Sequence, residues 1–97
     1  MNNRSTIHIE LFLEPGCRGS STVLNVVNTV AETLELDVQI WLRDRDAAEF
    51  MRRGVLICPA TFIAGRLAFY GPITDEDIHA YLQKHKSNIF NTTGETV

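Results

Sequence analysis

The chain has 97 residues, 44% of them hydrophobic and 22% charged, with a net charge of −3 and a pI near 5.5. This is enough for one domain with a real core, and without a broad basic field it has no electrostatic footprint for nucleic acid. No apolar run approaches the length of a membrane span and the start, Met1 to Thr6, is polar, so a cytoplasmic, non-membrane protein is expected, with its two cysteines reduced, catalytic or redox-sensing rather than a structural staple.

Ile7, Ile9, Leu11 and Leu13 alternate with His8, Glu10 and Phe12, the period-two pattern of a strand with one strongly apolar face. His8 and Glu10 are expected on its less buried side. The next stretch, Glu14-Pro15-Gly16-Cys17-Arg18-Gly19-Ser20, places a thiol between a turn and a helix. A helix that begins at or just after Cys17 aims its unpaired N–H groups and the positive end of its dipole at the sulfur, and both favour thiolate. Cys17 is therefore a candidate nucleophile, and Ser20, one helical turn on, can donate a hydrogen bond to it. The alternative is a small hydrophobe filling a gap. The helical pattern itself is clear from Ser21 to about Leu36: Val23, Val26, Val27, Val30 and Leu34, with Leu24 and Ala31, fall on one side, and Asn25, Asn28, Glu32 and Glu35 on the other.

Val38 to Leu42 reads as a second strand, followed by the charged run Arg43-Asp44-Arg45-Asp46. Asp44 or Asp46 can cap a short helix through Phe50 and Met51, with Arg52 and Arg53 complementing its negative end and Gly54 as a left-handed stop. Trp41 is expected to pack, with no aromatic placed by sequence spacing to pair with it. Val55-Leu56-Ile57-Cys58-Pro59 ends in a proline that holds Cys58 extended, after which Ala60 to Ala64 form a third strand. Gly65-Arg66 makes a turn, Leu67 to Tyr70 return antiparallel as a fourth strand, and Gly71-Pro72 break it. Thr74-Asp75-Glu76-Asp77 starts a last helix with an apolar stripe at Ile78, Tyr81 and Leu82, and its carboxyl end at Lys84, His85 and Lys86 gives His79 and His85 no catalytic role.

The domain is expected to span residues 1–86 and a polar, mobile tail residues 87–97, where Ile89 and Phe90 offer a weak docking point. The sequons Asn3-Arg4-Ser5 and Asn91-Thr92-Thr93 are most simply chance. The element order β-α-β-α-β-β-α points to an α/β fold, a four-stranded mixed sheet with helices on both faces.

These features together resemble the thioredoxin superfamily, in particular its small glutaredoxin-like and thioredoxin-like redox proteins. The resemblance covers Ile7 to Leu82 and rests on Cys17 directly after strand one, Pro59 directly before strand three, and the hairpin Pro59 to Gly71. It implies that Pro59 is cis and beside the active cysteine, that Cys17 attacks a disulfide, and that Pro59 with Arg18 borders the substrate. Ser20 stands where most members carry a resolving second cysteine, giving Cys-x-x-Ser. Monothiol glutaredoxins share that motif, but they have a lysine before the cysteine and Gly-Gly with an acidic residue after strand four. Here those places read Glu14-Pro15-Gly16 and Gly71-Pro72, which argues against glutathione and glutathione-bridged clusters. If Pro59 holds the family position, Cys58 borders Cys17 and the two can pair; otherwise Cys58 packs against the first helix. No metal and no cofactor is expected. Two readings stay open: thiol-disulfide exchange on a protein or small-thiol substrate, with Cys17, Ser20 and Cys58 as the catalytic set, or a redox-silent adaptor that binds a protein partner beside Pro59. The oligomeric state is not legible.

Overall fold

A computed structural model describes residues 7–85. The polar start and the tail with Ile89 and Phe90, together with both sequons, lie outside them. The elements are β1 (His8–Leu13), α1 (Arg18–Leu34), β2 (Asp37–Leu42), α2 (Ala47–Arg53), β3 (Ala60–Ile63), β4 (Arg66–Tyr70) and α3 (Asp75–Lys84). The strands form one mixed sheet in the order β2-β1-β3-β4, with β1 parallel to β2, antiparallel to β3, and β3 antiparallel to β4.

Because β1 is central, both of its faces are covered. Ile7, Ile9, Leu11 and Leu13 pack with Val23, Val27 and Val30 of α1 and Ile78 and Leu82 of α3. Each fully buried aliphatic side chain contributes about 1.5–3 kcal/mol, which offsets the modest helix propensity of the valines in α1. On the other face Phe12 meets Phe50 of α2, Val55, Ala60 and Phe62. Two expectations are corrected here. Glu10 is 6% exposed rather than on an open face. Its carboxylate pairs with the Arg53 guanidinium and accepts from Trp41 Nε1 at 3.3 Å. Trp41 does have an aromatic partner, stacked on Phe12 with ring centroids 6.1 Å apart, because in-register pairing of β1 with β2 sets these residues side by side. Spacing along one strand does not show a neighbour on the next.

Helix boundaries also differ in informative ways. α1 begins three residues earlier than the apolar periodicity suggests, and it ends at Leu34, with Glu35 left-handed (φ 58°). Leu34 is 41% exposed and lies off the buried stripe. Asp46 occupies the N-cap position of α2, but its carboxylate makes no capping bond. It turns back instead to accept from Leu42 N (2.9 Å) and Arg45 Nε (2.8 Å). Gly54 is the left-handed stop expected of it, at φ 70°. α3 opens with a reciprocal capping box between Thr74 and Asp77.

Candidate active site

The loop after β1 is a tight turn whose shape is written in its residues. Proline fixes φ at the second position and glycine takes the positive φ of the third, the signature of a type II turn. Gly16 has φ +84°, and Cys17 N donates to Glu14 O at 3.1 Å. Cys17 is left extended (φ −88°, ψ 125°) as the N-cap of α1, and its carbonyl accepts the first helical bond, from Ser21 N. The thiol therefore stands in front of the N–H groups of residues 18–20, and it is partly exposed.

Ser20 is the buried side chain behind it, 4% exposed. Its Oγ accepts from Glu14 N at 3.0 Å, so its single proton is left to point elsewhere. The Ser20 backbone N–H, then the Ser20 hydroxyl, hold the Cys17 thiol below its ordinary range; Gly19 N–H adds to this, while partial desolvation and the Glu14 carboxylate oppose it. The sulfur makes no formal capping hydrogen bond. A neutral thiol is a weak acceptor, and these donors hold the sulfur more strongly once it ionises.

Across from this terminus, the Cys58–Pro59 peptide bond is cis. Pro59 is buried, its carbonyl accepts from Gly71 N at 2.8 Å, and its ring lies against Gly19: a Cβ added there would sit 3.4 Å from Pro59 Cδ and 3.5 Å from Pro72 Cγ. A methyl group at 19 would make ordinary contact with these rings, and anything larger would press on them. Cys58 is partly buried and packs on the α2-side cluster of Phe12, Phe50, Val55, Ala60 and Phe62, not on α1 as its packing alternative expected. Burial pushes its thiol up, the Arg43 guanidinium pulls it down, and Glu14 and Cys17 add to the rise. Both cysteines are free. Arg18 opens α1 as an exposed cation.

Arg43 is the site residue that sequence reasoning missed. In the sequence it is only the first residue of a charged run after β2, yet its Nη2 donates to Leu56 O (3.1 Å) and meets Cys58 Sγ (3.4 Å). Its Nε lies 3.4 Å from Glu14 Oε1 and its guanidinium sits over the Phe50 ring, 5.3 Å from the centroid. The signal was available in the parallel register: Leu13 pairs with Leu42, so the next residues after the two strands, Glu14 and Arg43, emerge together at their carboxyl ends. Beside them Leu56 and Ile57 are 81% and 57% exposed, and Met51 78%.

A family model described as a thioredoxin domain matches residues 7–83, all of the seven elements except the last residue of α3. The chain belongs to the thioredoxin-domain family. A thioredoxin-like redox role, in general terms, comes with that membership. Among solved structures, this thioredoxin-domain protein is similar to Fasciola hepatica thioredoxin (14% identity, 84% of this chain and 83% of that chain, TM-score 0.70). It is also similar to chloroplastic thioredoxin z (17%, 87% and 81%, TM-score 0.74) and to a malarial protein (12%, 82% and 97%, TM-score 0.73). At these identities the likeness shows the fold alone. No curated protein matches the sequence. Among the described residues no cluster of three or more His, Cys, Asp or Glu could hold a metal ion, and no helix is long and apolar enough to cross a membrane.

Proposed function

We propose that this thioredoxin-domain protein carries out thiol-disulfide exchange with Cys17 as its nucleophile. The Cys17 thiolate attacks one sulfur of a substrate disulfide; a Cys17–substrate S–S bond forms, the substrate S–S bond breaks, and the departing thiolate takes a proton from water. Pro59 shapes the wall beside which an extended substrate lies, and Arg18 flanks it. Ser20 assists by donating to the thiolate but cannot resolve the mixed disulfide, so the second step falls to Cys58 or to an external thiol. The observation that carries the reading is the combination of N–H and hydroxyl donors that holds Cys17 below the ordinary thiol range at the exposed end of α1. The test is reduction of a small aromatic disulfide at neutral pH. The native protein should release a first equivalent of aromatic thiol rapidly, followed by a second where Cys58 resolves the mixed disulfide, and Cys17→Ser should release none on the timescale of the first; equal rates for the two proteins would refute it.

The exposed Leu56, Ile57 and Met51 favour a second reading, an adaptor that docks a protein partner beside Pro59 without redox chemistry. Partner capture unchanged by Cys17→Ser, in a protein whose Cys17 reacts as an ordinary thiol, would select it.

A further inference from the structure

Cys58 is a partly buried thiol and a poor nucleophile as it stands, because desolvation disfavours its charged form. Among the described residues the ionisable groups that act on it are three: Arg43 beyond β2, and Glu14 and Cys17 from the loop between β1 and α1. From α2 it is approached by Phe50, which is apolar. Arg43 is the sole member of this trio that favours a Cys58 thiolate, and it is held in place on several sides, by Leu56 O, the Phe50 ring and the Glu14 carboxylate, with its Nη2 3.4 Å from the sulfur.

These charges do not stay constant through the reaction proposed above, on which this inference rests. In the reduced protein the Cys17 thiolate opposes a second anion nearby. Once Cys17 is bonded to substrate sulfur its charge is gone, while Arg43 remains. We propose that Arg43 is a positioning residue that readies Cys58 as the resolving nucleophile, and that it does so only after Cys17 has been capped. The thioredoxin-domain protein thus acts through a dithiol drawn from two separate loops, in place of the paired cysteines of one helical turn. In this step the Cys58 thiolate, its proton given to solvent, attacks Cys17 Sγ. A Cys17–Cys58 S–S bond forms, the Cys17–substrate bond breaks, and the substrate leaves as a thiolate that is protonated by water. The substrate disulfide is the oxidant: it is reduced to two thiols as the two protein thiols become one disulfide.

The experiment uses the full chain with Cys17 capped by one equivalent of methyl methanethiosulfonate, and follows release of methanethiol against pH. The expected result is unimolecular release, with Arg43→Gln slower by about tenfold at neutral pH and its profile moved to higher pH, and Arg43→Lys, which keeps the charge, between the two. As a check that requires no substitution at Arg43, Cys58 alkylation in Cys17→Ser should reach its half-maximal rate at lower pH than Cys58 alkylation in the reduced native protein. Release from Arg43→Gln as fast and with the same pH profile as native would overturn the role of Arg43. A capped protein that retains its methylthio group shows that Cys58 does not resolve, and leaves Cys17 as a reactive single thiol. Failure of Cys17 to be capped at all would sink this inference together with the reading beneath it.

Discussion

Removing the partly exposed cation Arg53 should cost much more stability than removing its buried carboxylate partner Glu10. In Arg53→Leu, the Glu10 side chain, 8% exposed, keeps a single hydrogen bond, from Trp41 Nε1 at 3.3 Å. An uncompensated buried charge of this kind costs about 3–5 kcal/mol. The variant also loses the placement of the guanidinium over the Phe12 and Phe62 rings, 5.6 and 5.3 Å from their centroids. In Glu10→Leu the outcome differs, because Arg53 retains Glu49, with Nε to Oε2 at 2.9 Å, and the side chain is 19% exposed. That loss should be about 1–2 kcal/mol. The double variant removes both charges and should lie within about 1 kcal/mol of Glu10→Leu, far from the sum of the single effects. A domain of this size has about 5–10 kcal/mol in total, so the differences are large. Urea unfolding at neutral pH, followed by far-UV circular dichroism and by the fluorescence of the one tryptophan, Trp41, measures all three. Equal costs for the two single variants, or additive costs in the double, would show that Glu10 is not left as an uncompensated buried charge.

Ser20→Ala removes the acceptor of Glu14 N and one of the donors to the Cys17 thiolate. It should cost about 1 kcal/mol and move the half-maximal pH of Cys17 alkylation upward, though not fully to that of a free cysteine, since the Ser20 and Gly19 N–H groups remain. Thr61 Oγ1 is fully buried with no hydrogen-bond partner among the described residues. Thr61→Val keeps the shape and should stabilise by about 1 kcal/mol, raising the melting temperature by about 4–8 °C in a calorimetric scan; a loss of stability would show that the hydroxyl is partnered. Gly19→Val places branches beyond a Cβ already 3.4 Å from Pro59 Cδ, and should slow disulfide reduction by Cys17 while Gly19→Ala, at ordinary contact distance, changes it little.

The fold was legible because local signals agreed with one another: alternation in β1, helical spacing through α1, the Thr74 cap, the Gly54 stop and the proline before β3 each name an element without reference to the others. Cys17 and Ser20 were legible for the same reason, as neighbours on one turn of chain. What the sequence hid depends on contacts across elements. Glu10 reads as a polar position on a strand face until α2 brings Arg53 over it. Trp41 reads as solitary until β2 aligns it with Phe12. Arg43 reads as part of a charged run, and its meeting with Cys58, fifteen positions away, follows from strand order rather than from spacing. α1 starts before its apolar stripe because the Pro15-Gly16 turn, not burial, sets its first residue.

The proposed chemistry requires that the end of α1 make Cys17 more acidic than an ordinary cysteine. Its most direct test is the rate of iodoacetamide alkylation of Cys17 against pH in the full chain bearing Cys58→Ser. The half-maximal rate is predicted clearly below pH about 8.5, the value of an unperturbed thiol. A profile centred at or above that value would contradict the account.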